Sequence, residues 1–243
     1  GTPALFIVRR LRHALPPVKK GDWPILFAIG FTGDFASFCL QMLGIDRLTG
    51  SLSSLLGAMN PIFIPILAAL FLHERITLSK IACVALSMLG VVVIVGVGGT
   101  AAAGVLMMLV SVFLWSTASI IIRRISGRYD PMQIALIAIC CALPLTGAWS
   151  LIELQSAACS FSVQSVLAVL YMGIFGTAVT HSLWNYSLRV MDASFCSMFY
   201  PMQPLVSAIL GVLFLHETVT PSFILGALMI CGGIVAAVKS APK

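Results

Sequence analysis

The sequence predicts an all-α polytopic membrane protein with eight visible transmembrane helices, and three observations carry that prediction. Hydrophobic residues make up 60% of the 243 and charged residues only 9%, too little polar surface to cover a soluble globule. Apolar runs of about 20 residues, the length that crosses the hydrocarbon core as helix, recur along the whole chain. Of the 14 basic residues, all but Arg47 fall on one side of an eight-span chain, and a missed span would scramble that asymmetry. Strands are not expected, because the runs are continuous rather than alternating and far exceed a barrel strand.

The spans follow in order. The first, 23–42, comes after Lys19 and Lys20 and encloses Asp34. The second, 50–72, has Asn60 and Pro61 near its centre and closes on Phe71-Leu72-His73-Glu74. The third, 79–97, follows Thr77, a candidate helix cap. The fourth, 102–122, carries Ser111, Trp115 and Ser119 and ends at Arg123 and Arg124. The fifth, 131–152, follows Asp130. The sixth, 163–187, contains His181 and stops before Arg189. The seventh, 193–215, holds Gln203 and Pro204 near its centre, and the eighth, 221–238, ends at Lys239. The net charge of +6 is therefore a topology signal and not a nucleic-acid surface. Both termini are expected in the cytoplasm, in a bacterial inner membrane.

A shift of 143 positions superposes the chain on itself. Phe71-Leu72-His73-Glu74 meets Phe214-Leu215-His216-Glu217, Gly30 meets Gly173, Gly33 meets Gly176, Ser51 meets Ser194, Pro61 meets Pro204 and Thr77 meets Thr220. The sequence thus divides into a first repeat, 1–100, and a second, 101–243. Spans 6, 7 and 8 map onto 1, 2 and 3, while spans 4 and 5 have no counterpart in the first repeat. Residues 2–8 read as the last turns of a lost span, so a parent of ten helices is expected. Five spans per repeat is odd, which makes the repeat inverted, the sequence mark of a secondary transporter.

The motifs support a resemblance. Ala58-Met59-Asn60-Pro61-Ile62-Phe63 with Leu72-His73-Glu74-Arg75-Ile76, then Leu183-Trp184-Asn185-Tyr186-Ser187-Leu188-Arg189, Ala193-Ser194, Tyr200-Pro201 and His216-Glu217, resemble the two copies found in EamA-type members of the drug/metabolite transporter superfamily. The resemblance implies a ten-helix inverted-repeat fold, a central cavity between the repeats and export or exchange of small organic solutes. Asp34 departs from the family's common pattern, and the first one and a half helices are missing.

Of the eight acidic residues, Asp34 alone falls near the middle of a span. An acid there costs about 2.5 to 3.5 kcal/mol on insertion scales, so it is expected to face a cavity or a partner. It reads either as a group that exchanges a proton or binds a solute cation, or as a protonated acid bonded to a neighbouring hydroxyl. Asp34, Ser37, Phe38 and Gln41 share one face at α-helical spacing, and their repeat mates are Thr177, Thr180, His181 and Trp184. Two walls of one cavity would look like this. His181, roughly 9 Å from the midpoint of its span, is either a proton relay or a helix–helix hydrogen-bonding residue. Trp115, Ser111, Ser119, Ser194, Ser197 and Tyr200 either line the same space or pack helices together. Asn60-Pro61 and Gln203-Pro204 read as paired kinks, with Pro61 and Pro204 as hinges and Asn60 and Gln203 turned to the solute. Glu74 and Glu217 precede spans 3 and 8, where a helix N-terminus favours negative charge, and read as structural.

The seven cysteines are odd in number and all but Cys159 lie in spans, so they read as packing residues. No cofactor or metal site is expected. The residues 96–99 lack the spacing of a nucleotide loop. An integral-membrane enzyme is the rival class, but His13, His73, His181 and His216 are scattered; a non-transporting remnant is the third reading. Lys and Arg are absent at membrane depth, which disfavours a strongly anionic solute and favours a neutral, zwitterionic or cationic one.

Overall fold

The computed structural model describes residues 17–48, 53, 56–75, 77–95, 102–154, 162–203, 206, 209 and 221–239. Residues 2–8, the second Phe-Leu-His-Glu, Thr220, Pro204, Cys159, Ser51 and the glycine run at 96–99 lie outside them. Among the described residues every regular element is helical: α1 (Lys20–Ile45), α2 (Asn60–Leu72), α3 (Leu78–Val95), α4 (Ala102–Ile125), α5 (Pro131–Leu154), α6 (Val163–Val190), α7 (Ala193–Ser197) and α8 (Pro221–Lys239). Of these, α1, α4, α5 (over Pro131–Glu153) and α6 are long and apolar enough to cross a membrane, whereas α2 is a shorter apolar helix. The chain is an integral membrane protein by this composition, and large apolar side chains such as Leu167, Leu170 and Leu183 are exposed on α6, as lipid contact requires.

The described residues form two compact units. The first combines the chain up to Phe38 with Thr117–Met191, and the second combines Cys39–Ser116 with Asp192–Lys243.

In the first unit α5 packs against both α1 and α6. Ala135 and Leu136 meet Ala178 in a small buried cluster. Small residues let backbones approach closely, which in lipid is the main source of helix association. The extreme case is Gly30, where a Cβ would lie 2.3 Å from the carbonyl oxygen of Ala138. At the helix ends the polar groups find partners. Asp22, buried, accepts a 2.6 Å bond from the Tyr129 hydroxyl and lies 3.4 Å from Arg128 Nη1, which ties the start of α1 to the α4–α5 turn. The Asp22 carboxylate that accepts its proton holds the Tyr129 phenol above its ordinary range. Arg123 donates to the carbonyls of Leu188 and Arg189, two acceptors that the last turn of α6 leaves open. Asp130 caps α5 through Met132 N–H at 3.0 Å, with Pro131 in the first turn where its missing donor costs nothing.

Two long apolar helices of this unit contain a π-helical stretch, Gly30–Ser37 in α1 and Met172–Val179 in α6. The two stretches nearly coincide under the 143-residue shift. The α-helical spacing assumed for the Asp34 stripe therefore fails there, because wider i→i+5 turns rotate the later side chains around the axis.

In the second unit α3 packs on α8 and α2 on α7, while Leu56 and Met108 form a buried contact. The expected mid-helix kink at Pro61 is an interruption instead. Met59 N–H bonds to Leu56 O and Ile62 N–H to Met59 O, so the chain tightens to i→i+3 bonding and α2 begins afresh at Asn60, with Pro61 in its first turn. The equivalent Met202 N–H bonds to Phe199 O. Both copies break their helix at the same place. Pro65, inside α2, is a second proline that the repeat comparison passes over.

The Phe-Leu-His-Glu motif ends α2 by putting His73 in the left-handed conformation, φ 55°. That turn aims Glu74 away from α3, whose N-terminus is capped by Thr77, and toward α7. The placement differs from the sequence expectation: the Glu74 carboxylate accepts from Ala193 N (2.9 Å), Ser194 N (3.1 Å) and Ser194 Oγ (2.6 Å). Asp192, the N-cap residue by position, makes no cap bond and faces Lys80 at 3.7 Å. A carboxylate on the open N–H groups of a helix start is favoured by both bonding and the helix dipole. Glu74→Ala is expected to destabilise the protein by about 2 kcal/mol, read as a lowered unfolding midpoint in detergent, with Glu74→Gln falling between because it keeps one acceptor oxygen.

Candidate functional site

The intramembrane acid has a partner. In the first unit His181 Nε2 lies 2.9 Å from Asp34 Oδ1, and both side chains are about nine-tenths buried, with exposures of 10% and 11%. The other ring nitrogen, Nδ1, lies 2.9 Å from the backbone carbonyl of Thr177 at the end of the π-helical stretch. Phe38 stacks on the imidazole with ring centroids 6.3 Å apart. Trp184, one turn further along α6, donates its indole N–H to Ser119 Oγ at 3.2 Å. Asn185, 3% exposed, donates to Pro131 O.

Asp34 and His181 were each singled out by sequence, but not as a pair, since the repeat register sets His181 opposite Phe38. Two sequence-equivalent positions need not face each other, and only the packing of α1 and α6 against α5 brings them together. Thr177 takes part through its carbonyl, which no side-chain pattern could announce, while its hydroxyl bonds back to Met172 O. Ser37 is buried at 3% exposure.

The second unit holds its own polar groups. The Trp115 indole N–H donates to the Tyr200 hydroxyl. Asn60 donates to Gly57 O at 3.0 Å and accepts from Ser116 Oγ at 3.3 Å, so its amide bridges the helix break to α4. Pro61 is buried beside it. Gln41 is half-buried and Gln203 exposed, and neither joins these bonds. Ser111, Ser194 and Ser197 are buried, with Ser197 bonded to Ser194 O. Among the described residues no three His, Cys, Asp or Glu side chains form a metal-binding group.

Interrupted helices and paired ionisable groups inside membrane spans are the make-up of a membrane transport protein. The chain belongs to the EamA-like transporter family, whose model matches residues 1–96 and 102–239. It is 27% identical over 223 residues to an uncharacterized transporter of Archaeoglobus fulgidus, a match covering 91% of this chain and 80% of the relative. It is 25% identical over 245 residues to the uncharacterized transporter YoaV of Bacillus subtilis, covering 96% and 82%. A probable terminal-alkyne amino-acid exporter of Streptantibioticus cattleyicolor is 26% identical over 222 residues, covering 89% and 73%. One solved crystal structure shares the fold with a TM-score of 0.86 at 19% identity, covering 99% of this chain and 85% of that one.

Proposed function

We propose that the protein is a proton-coupled secondary transporter that exports or exchanges a small organic solute. The observation that carries this reading is the Asp34–His181 pair, the contact inside the spans through which a proton gradient can act. The solute is neutral, zwitterionic or cationic, since no Lys or Arg stands at membrane depth to meet an anion. The relative named as an amino-acid exporter supports a solute of that size and polarity. Movement follows alternating access, in which the inverted repeats 1–100 and 101–243 rock within an eight-span chain and the breaks before Pro61 and Pro204 serve as hinges. Trp184, one turn beyond His181 in the first unit, is the aromatic contact for the solute, with both termini in the cytoplasm of a bacterial cell.

A solute screen in proteoliposomes, run with and without an imposed pH gradient, tests the proposal. Uptake of at least one small organic solute is expected to be stimulated by the gradient. No gradient-dependent flux for amino acids, amines or neutral metabolites would remove the reading.

A further inference from the structure

The start of α7 has two carboxylates beside it and uses the one from further along the chain. Glu74, 119 and 120 positions away, accepts from Ala193 N at 2.9 Å, from Ser194 N at 3.1 Å and from Ser194 Oγ at 2.6 Å. Asp192 is the residue whose side chain ordinarily caps such a start, by accepting from the N–H two or three positions on. Its backbone already has the extended conformation of a cap, φ −59° and ψ 140°, and its carbonyl accepts the first bond of the helix from Cys196 N at 3.0 Å. Its side chain makes no cap bond, and Lys80 Nζ stands 3.7 Å from its Oδ2.

The ammonium that holds Asp192 aside lies close to both acids. Lys80 Nζ also donates to the carbonyl of Arg75, the residue next to Glu74, at 3.2 Å. The Lys80 side chain is 13% exposed, whereas that of Asp192 is 54% exposed. An ion pair with so exposed a partner holds weakly, while aspartate is among the strongest N-caps. A second arrangement therefore has nearly the same bonding content. If Asp192 turns in to accept from Ser194 N or Phe195 N, the helix start keeps a carboxylate in its dipole. The Lys80 ammonium, left by Asp192, is then one residue from the carboxylate that Glu74 withdraws.

We propose that α7 is capped by two carboxylates in turn, and that the exchange of Glu74 for Asp192 unfastens the end of α2 from the start of α7. The inference deepens the transporter reading, on which the use of the movement rests: α2 belongs to the first repeat and α7 to the second, and alternating access requires such repeats to part at one membrane face. With Glu74 as the cap, that face is fastened. With Asp192 as the cap, α7 keeps its first turn while α2 moves away carrying Glu74. Charges stay paired in both positions, which gives the element two discrete states.

Two measurements on the purified full chain in detergent test the exchange. In a thermal double-mutant cycle, Asp192→Ala alone is expected to shift the unfolding midpoint by less than about 2 °C, because its pair with Lys80 is weak. Glu74→Ala combined with Asp192→Ala is expected to lower it by roughly 2 to 4 °C more than the two single shifts summed, because neither acid remains to cap α7. Spin labels at Phe71→Cys and Phe199→Cys, both exposed positions, in a chain whose own cysteines are replaced, report the separation of the two segments by pulsed dipolar spectroscopy. Lys80→Met, which keeps the stem and removes the charge, is expected to add a longer-distance population, and Lys80→Met with Asp192→Ala to lose it again. Additive midpoints overturn the proposal, as does a distance distribution that Lys80→Met leaves unchanged, or a longer distance that survives the removal of Asp192. If the exchange is observed while the solute screen gives no gradient-driven flux, the switch stands and the transport reading fails. If flux is present and the midpoints are additive, the switch fails alone.

Discussion

Asp34→Asn is expected to abolish the pH-gradient dependence of solute flux and to leave the protein folded. The amide has the shape of the carboxyl group, and His181 Nδ1 remains on the Thr177 carbonyl, so the packing around the site survives. What is lost is the ability to give up or receive a proton. In proteoliposomes the variant is expected to lose gradient-driven flux entirely, with an unfolding midpoint within about 2 °C of the unaltered protein, since the substitution creates no cavity and strands no donor. Gradient-driven flux at the original level in the variant removes Asp34 from coupling, and a collapse in stability reassigns it to a structural role.

Gly30→Ala carries the largest expected cost to stability. Its Cβ would meet the Ala138 carbonyl oxygen at 2.3 Å, its carbon at 3.1 Å and Cys141 Cβ at 3.2 Å. Two of these atoms are backbone and cannot rotate away, so α1 and α5 must separate. Overpacking of this kind costs about 3 kcal/mol, which lowers the unfolding midpoint by roughly 6 to 12 °C. Asp34 lies one turn beyond Gly30, and the displaced helix carries it away from His181, so coupling weakens along with stability. Gly147→Ala is the matched control: it also lies in α5, its added Cβ meets nothing within 4 Å, and it is expected to gain about 0.5 to 1 kcal/mol in helix propensity. Thermal unfolding of both variants in the same detergent decides the matter, and a neutral Gly30→Ala would show that the close crossing is unimportant.

What could be read from the sequence follows the physics of each feature. The helices α1, α4, α5 and α6 were visible because continuous apolar length is a strong signal in any one chain. Asp34 was visible because a mid-span acid is rare. The pairing with His181 was not, because it depends on how α1 and α6 lie on α5, and one sequence holds no record of contact. The stripe argument assumed α-helical turns where Gly30–Ser37 is π-helical. The glycines at 30, 33, 173 and 176 had been used only to fix the repeat register. Pro61 was read for the bond it lacks within a helix, whereas the chain uses it where no such bond is needed. Glu74 was assigned to the nearest helix start, and only the left-handed turn at His73 redirects it to a more distant one.

The two partners of the buried pair are far apart in the chain, and this bears on how the protein is made. Asp34 leaves the ribosome roughly 150 residues before His181, which at about 5 to 20 residues per second is on the order of ten seconds or more. During that interval the nascent α1 must enter the bilayer with an acid that has no imidazole to meet. Four later helices must be threaded before α6 arrives and brings His181 to it. The step that commits the chain to its final membrane arrangement therefore comes late in synthesis, when α6 is inserted.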